Sequence, residues 1–404
     1  MAFFRNIGVH ILRGGLNALY RAFSLRGRRD EALFLSRQSN EVSQDYALLE
    51  NEFEARGFQP VVLVGMLTRD SMVEYAKKTV REVWHLAHCR VCFVDGYDPV
   101  VGLLRFKCEG LSPEDENTSF NDDVPVHDQF PVNPIVIQLW HAFGAYKNFG
   151  YQSIDTREGR TTDIASRMNM HGNYSWIICT GDAARAPFAE AFHYPESRVM
   201  PLGRPMQDEL VRMAKEALET PAELDRKISI VFAPTLRRNP ESDHPFKRLY
   251  LSDDWRTLEE IADVAWSFHP VERTFDDKGE GLPIINRERV MAADLVITDY
   301  SSIAYEMALM GKRVVFYMPD IDEYLESPGL NVNPLQVCPG ISFTDCKELL
   351  LFIVDLALGE VEYPDEEFDR FLDGAFVNLE GSATRSIANF AFAKIRESLD
   401  KQGA

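Results

Sequence analysis

A chain of 404 residues with 45% hydrophobic and 26% charged residues is too long for one ordinary core and suits two globular domains. Its formal net charge of -20 repels nucleic acid, which argues against a DNA or RNA partner, so an anionic substrate must be met by locally placed cations. The six scattered cysteines form no disulfide framework and fit a reducing cytosol, and no apolar run reaches the roughly 18–20 residues that cross a bilayer.

Residues 1–30 form a separate unit. From Met1 to Arg29 there is no Asp or Glu, but there are six arginines: Arg5, Arg13, Arg21, Arg26, Arg28 and Arg29. Phe3, Phe4, Ile7, Ile11, Leu12, Leu16, Leu19 and Phe23 recur at a spacing that gives one apolar helical face. A basic amphipathic helix of this kind reads as an interfacial anchor on anionic lipid. The alternatives are a helix packed on the body of the protein or on a partner, and Gly14-Gly15 weakens a rigid rod. No small-residue cleavage site follows, so the segment does not read as a secretory signal.

From Glu31 onward, short apolar runs alternate with helical patterns. The runs are 32–36, 61–67, 91–95, 135–140 and 176–180, then 228–234, 265–269, 294–300 and 313–318. Most are rich in Val and Ile and do not alternate with polar residues, as expected of parallel strands covered on both faces. Helices are predicted over 45–56, 70–86, 183–192, 206–218 and 255–264, with a last one over 383–399. This repetition predicts two doubly wound, Rossmann-like α/β domains, over 31–220 and 221–404, divided near Glu219–Asp225. The acidic, turn-rich stretch 109–128 reads as a solvated loop.

Four segments carry candidate chemistry. In the stretch from Asp294 to Tyr324, an apolar strand ends at Thr298-Asp299, and Ser301-Ser302 open a helix. Hydroxyls beside helix-start N–H groups suit phosphate oxygens, and Glu306 one turn later suits ribose hydroxyls; plain N-capping explains the serines equally well. His141 lies just past the end of a strand, with Gly144, Lys147 and Gly150 following, which suits a general base beside an anion-binding group. A histidine bonded beneath a loop is its ordinary alternative. His269 with Arg273 ends another strand and suits a pyrophosphate, while Arg237 and Arg238 follow Pro234. His85, His88, Cys89 and Cys92 lack a second ligand pair at zinc spacing and are not read as a metal site.

Together these segments resemble the CDP-glycerol glycerophosphotransferase family, the teichoic-acid primases and polymerases. The likeness rests on Leu139-Trp140-His141 with Lys147, on Ala233-Pro234-Thr235-Leu236-Arg237, on His269-Pro270, and on Thr298 to Ser302 followed by Glu306, Phe316-Tyr317 and Asp320 to Tyr324. Weaker echoes are 34–45 and 202–208, and the whole covers about 31–340. Two features depart from the family pattern: Ala142-Phe143-Gly144 stands where Gly-Thr-Pro is common, and Arg204 precedes Pro205 instead of following it.

The resemblance implies a GT-B-like arrangement, two Rossmann-like domains facing a central cleft, with the CDP donor on the C-terminal one. It implies transfer of glycerol phosphate or ribitol phosphate from CDP-glycerol or CDP-ribitol to an acceptor hydroxyl, with release of CMP, in teichoic-acid or related cell-surface polymer synthesis. His141 would be the base. His269, Arg273, Ser301 and Ser302 would hold the pyrophosphate, with Arg237, Thr298 and Asp299 also on the donor side. Glu306 would hold ribose, and Lys147 would face the acceptor. No metal or other cofactor is implied. Partners would be a lipid-linked saccharide or polymer acceptor and the anionic cytoplasmic face of the membrane, with the protein peripheral and a homo-oligomer left open. A GT-B glycosyltransferase using a nucleotide sugar shares the fold but does not predict this set of motifs.

Overall fold

The computed structural model describes residues 2–66, 72–112, 115, 126–219, 226–235, 246, 249, 254–267 and 287–403, with backbone alone at 2–7, 72, 254, 287, 288, 402 and 403. The chain divides into two compact units: Met1–Ala142, Asn148–Glu209 and Gly374–Ala404 form the first, and Phe143–Lys147 with Leu210–Asp373 form the second.

The first unit opens with α1 (Ala2–Ser24) and continues through β1 (Glu31–Ser36), α2 (Gln44–Ala55), β2 (Gln59–Val64), α3 (Met72–His88), β3 (Val91–Val94) and α4 (Pro99–Leu103). Then come β4 (Lys107–Gly110), β5 (Gln129–Asn133), β6 (Ile135–Gln138), α5 (Thr162–Arg167), β7 (Trp176–Cys179), α6 (Arg185–Phe192), β8 (Val199–Pro201) and α7 (Pro205–Glu219). The main sheet runs β2-β1-β3-β6-β7-β8, and every pair in it is parallel. All positions of β1, β3 and β6 are buried, which is why their sequences lack polar alternation. Phe34 of β1 stacks on Phe93 of β3 at 5.1 Å and meets Tyr46 and Phe53 of α2.

Part of the N-terminal helix packs on the body of the protein, one of the alternatives that the sequence left open. Leu16 and Tyr20 are buried on the body, and Asn17 bonds the Leu103 carbonyl and the Arg105 amide at 3.0 and 2.7 Å. Ile11, Leu12 and Leu19 remain 69%, 47% and 36% exposed. The side chains of Phe3, Phe4 and Ile7 lie outside the described residues.

The second unit contains β9 (Ile228–Ala233), α8 (Asp254–Ile261), β10 (Ala262–Trp266), α9 (Arg287–Ala292), β11 (Leu295–Thr298), α10 (Ile303–Leu309) and β12 (Arg313–Tyr317). It ends with α11 (Ile321–Glu326), α12 (Pro334–Val337), β13 (Ser342–Phe343), α13 (Cys346–Leu358) and α14 (Asp365–Phe371). Its parallel sheet runs β10-β9-β11-β12-β13. A final helix, α15 (Ala383–Gly403), belongs to the first unit.

The structure corrects the expected boundaries. The chain passes from the first unit to the second within α7, and α15 returns to the first, so neither 31–220 nor 221–404 is one body. The cause is packing. Ile387, Ala388, Ala391 and Ile395 complete the core around Phe34 and Phe53, and Phe392 stacks on Phe53 at 4.8 Å. The Asp208 carboxylate accepts from the Ala383 and Thr384 amides at 2.8 and 2.9 Å, which pins the start of α15.

Two further differences are local. The helix expected over 255–264 stops at Ile261, because Ala262–Trp266 pairs with Ile228–Phe232 in the sheet. The loop expected over 109–128 begins inside β4 and stops just before β5, with which β4 pairs, and Asp115 within it is buried against Ser112 and Ser197. Residues 113–114 and 116–125 lie outside the described residues.

Candidate functional site

Open parallel sheets bind ligands at the carboxyl ends of their strands, where the strand order reverses. In the first unit that reversal lies between β1 and β3. Ser36 ends β1 and Asp95 follows β3; both are buried, and their side chains hydrogen-bond each other. Burial pushes the Asp95 carboxyl up to about 6, while the Ser36 bond pulls it down. β6 lies next to β3, and His141 just beyond it puts Nδ1 at 2.9 Å from the Asp95 main-chain oxygen. A carbonyl can only accept, so Nδ1 carries the hydrogen and the neutral ring holds its lone pair on Nε2.

The approach to His141 is held tightly. Gln138 is fully buried; its Nε2 donates to the Gly96 carbonyl at 3.1 Å and its Oε1 accepts from the Trp140 amide at 2.8 Å. Trp140 has φ of 58°, a left-handed conformation that costs a bulky residue energy and is commonest at functional sites. Its ring lies 4.2 Å from that of His141 and stacks on Phe149 at 4.6 Å. The imidazole is exposed to solvent on this aromatic floor. The weak echoes at 34–45 and 202–208 meet here: Arg204 clamps Asp45 through Nε and Nη2 at 2.9 and 2.6 Å, and Asp45 also accepts from the Met206 amide at 2.8 Å. Arg204 before Pro205 therefore fastens α2 to α7.

In the second unit the order reverses between β9 and β11, so the ends of these strands mark the corresponding place. Of the predicted donor residues, Thr298, Asp299, Ser301, Ser302 and Glu306 stand at or just past the end of β11. Thr298 and Asp299 are fully buried and use their polar atoms inside the protein. The Thr298 hydroxyl donates to the Ala233 carbonyl at 2.7 Å; Asp299 Oδ1 accepts from the Thr235 and Tyr300 amides at 2.9 and 2.6 Å. These two residues shape the loop from within. Tyr300 stacks on Tyr324 at 3.6 Å and donates to Asp320 at 3.0 Å, which accounts for the 320–324 part of the motif.

Ser301 and Ser302 are half-buried at the mouth of this loop. Ser301 Oγ accepts from the Ile303 amide at 3.3 Å, whereas Ser302 makes no side-chain cap, so simple capping accounts for one serine and not the other. Glu306 stands in the first turn of α10 and is half-buried. Lys147, expected to face the acceptor, belongs to the second unit, where its main chain bridges to Leu330. Arg237, Arg238, His269 and Arg273 lie outside the described residues.

Sequence reasoning missed Ser36, Asp95 and Tyr146. Only the polar residue closing an otherwise apolar strand marks the first two. The Cys/His cluster is spent structurally: His85 pairs with Glu31 at 2.8 Å, His88 bonds the Trp84 carbonyl, and burial pushes the Cys89 thiol up to about 12. Among the described residues no three His, Cys, Asp or Glu side chains group as metal ligands would.

Two histidines, His171 buried and His127 half-buried, lie in the first unit. Burial holds His127 down to about 4, and burial with nearby cationic groups holds His171 down to about 3. His171 packs edge-on to Phe192 at 4.8 Å, with Nδ1 3.1 Å from the Tyr174 hydroxyl. Below about pH 6.5 the unfolded chain binds a proton at this residue that the native state refuses, so its contribution falls as pH falls. Residue 171 has φ of 57°, which Asn tolerates, so His171→Asn is the suitable probe. The variant is expected to be less stable at pH 7.5. Its deficit should shrink by about 1.4 kcal/mol per pH unit between about pH 6.5 and 5, read from urea midpoints. Asp95 titrates in both proteins and cancels in the difference. A deficit independent of pH would show that His171 does not resist protonation.

A family model described as CDP-Glycerol:Poly(glycerophosphate) glycerophosphotransferase matches residues 18–393. A teichoic acid ribitol-phosphate primase of Bacillus spizizenii is 24% identical, over 94% of this chain and 96% of its own. A teichoic acid poly(ribitol-phosphate) polymerase of the same organism is 26% identical over 78% of this chain, which spans only 49% of that relative's length. Among solved structures, the wall teichoic acid polymerase TagF aligns with a TM-score of 0.64 at 17% identity, covering 98% of each chain, and that likeness is one of fold. The motifs and the matched span agree: the chain belongs to the CDP-glycerol:poly(glycerophosphate) glycerophosphotransferase family and is homologous to the teichoic acid primases and polymerases.

Proposed function

We propose that the protein transfers glycerol phosphate or ribitol phosphate from its CDP-activated form to an acceptor hydroxyl and releases CMP. The observation that carries this reading is the fixed tautomer of His141 at the sheet switch point, which gives an exposed imidazole a basic Nε2. Nε2 takes the proton of the acceptor hydroxyl. The resulting oxygen attacks the phosphorus that bears the polyol, and the bond from that phosphorus to the bridging oxygen breaks, with the electron pair leaving on CMP. Ser301 and Ser302 bind the phosphates from the second unit, assisted by His269, Arg273 and Arg237, and Glu306 takes the ribose. Protein donors do the work of a metal in this scheme. Lys147, counted with the second unit, suits the donor phosphates as well as the acceptor.

The acceptor in this reading is a lipid-linked saccharide or a growing polymer, met at the cytoplasmic face of the membrane. Among the described residues no helix is long and apolar enough to cross a membrane. Support for surface attachment comes from α1 and α3. An apolar groove of about 680 Å³ is lined by Phe23, Val73, Ala76, Val80 and Trp84, with Lys77 and Arg81 at its side. Arg26 and Arg29 lie over the Trp84 ring. Exposed apolar side chains interleaved with cations suit the interface of an anionic bilayer.

The test is CMP release from CDP-glycerol and CDP-ribitol, with lipid-linked acceptor in anionic or in neutral vesicles, in the presence of EDTA. Turnover that is faster on anionic vesicles is expected, with one polyol preferred. Turnover of a nucleotide sugar alone would replace this reading with glycosyl transfer, and equal rates on both vesicle types would remove the surface helix from it.

A further inference from the structure

The donor-loop main chain has a partner outside its own segment. The Tyr146 hydroxyl donates to the Asp299 main-chain oxygen at 2.7 Å. Tyr146 is buried, with its ring edge-on to Tyr305, Phe316 and Phe371 at 6.4, 6.0 and 5.5 Å. Burial raises its hydroxyl well above the ordinary range, so it remains a donor at any working pH.

Main-chain bonds fix the same segment. The Tyr146 carbonyl accepts from the Asn331 and Val332 amides at 2.9 and 3.4 Å, and Asn331 Nδ2 donates to the Lys147 carbonyl at 3.1 Å. Gly144 has φ of 60°, and a methyl group there would stand 2.5 Å from the Tyr305 ring. Residues 143–147 therefore have little slack within the second unit, and the chain leads into them directly from His141.

We propose that Tyr146 is a positioning residue for the transfer: its hydroxyl ties the main chain at the root of the donor loop to residues 143–147, which follow His141 in sequence, so that a nucleoside diphosphate settling on Ser301-Ser302 steadies the backbone that leads away from the base. The inference rests on the donor-site and base assignments proposed above. A shift at Asp299 is thereby passed along a short, bonded strap to the stretch that follows His141 in sequence. A small misplacement of a reacting group costs rate without costing affinity.

Tyr146→Phe removes the hydroxyl and keeps the ring. CMP release is expected to fall about ten-fold in kcat, a loss comparable to that of one hydrogen bond plus slight misplacement. The affinity for CDP-glycerol or CDP-ribitol, measured by calorimetry, should stay within about three-fold. In the wild type, bound donor should slow amide hydrogen exchange across 143–147, and in Tyr146→Phe that slowing should disappear. Unchanged kcat, or donor-induced slowing as strong in the variant as in the wild type, overturns the proposal. The second result would mean that the hydroxyl only supports the fold. Wild-type protein that binds neither donor would instead defeat the donor-site assignment, and donor binding that slows no exchange in either protein would defeat the strap alone.

Discussion

His141→Ala should lower kcat for polyol-phosphate transfer by about 10²–10⁴, the usual loss when a positioned proton acceptor is removed. The mutation takes away an exposed ring that lies against Trp140 and its hydrogen bond to the Asp95 carbonyl, so the folded protein should lose about 1 kcal/mol. Ser301 and Ser302, proposed to bind the phosphates, belong to the other unit, so calorimetric donor affinity should persist. CMP release, a urea titration and donor calorimetry on one preparation separate the three quantities. His141→Gln makes the control sharper, since it restores a polar side chain but no base at working pH. A kcat loss below about ten-fold in both variants would hand the role of base to another residue, with His269 next to be tested.

How much of this was legible beforehand depended on the kind of interaction. The parallel strands were visible because burial on both faces leaves an unbroken apolar run, as in residues 32–35 and 295–297. The ownership of α15 was not visible: periodicity says that Ile387, Ala388, Ala391 and Ile395 share a face, but nothing local says which sheet that face covers. The start of β10, residues 262–264, went astray for a related reason, because its pairing partner lies a helix away in sequence. At the site, the sequence singled out side chains that announce their chemistry, His141, Ser301 and Ser302 among them, and the structure places these three just past the ends of parallel strands. What escaped were groups acting through the main chain. Asp95 holds His141 by its carbonyl, and Tyr146 grips the carbonyl of Asp299; a carbonyl leaves no mark on residue type. Thr298 and Asp299 were located correctly, yet their full burial could not be foreseen from a motif, and it is burial that turns them inward.

Asp299→Ala should destabilise the second unit by about 2–4 kcal/mol, the largest stability loss expected in the donor loop. The wild-type carboxylate accepts from the Thr235 and Tyr300 amides, and thereby joins the end of β9 to the end of β11 across the switch point. Alanine deprives both amides of their acceptor, and the Tyr300 amide lies where water cannot replace it. Asp299→Asn keeps an oxygen in the Oδ1 position and should cost only about 1 kcal/mol. Urea midpoints followed by the fluorescence of Trp255 and Trp266, which stand 5.1 Å apart in this unit, report the difference. The same pair of variants separates shaping from contact. If Asp299 only shapes the loop, Asp299→Asn binds donor nearly as the wild type does, whereas Asp299→Ala loses donor affinity together with stability. If the carboxylate itself meets the donor, Asp299→Asn stays folded and loses affinity at least ten-fold, and the inward-facing role assigned to Asp299 fails.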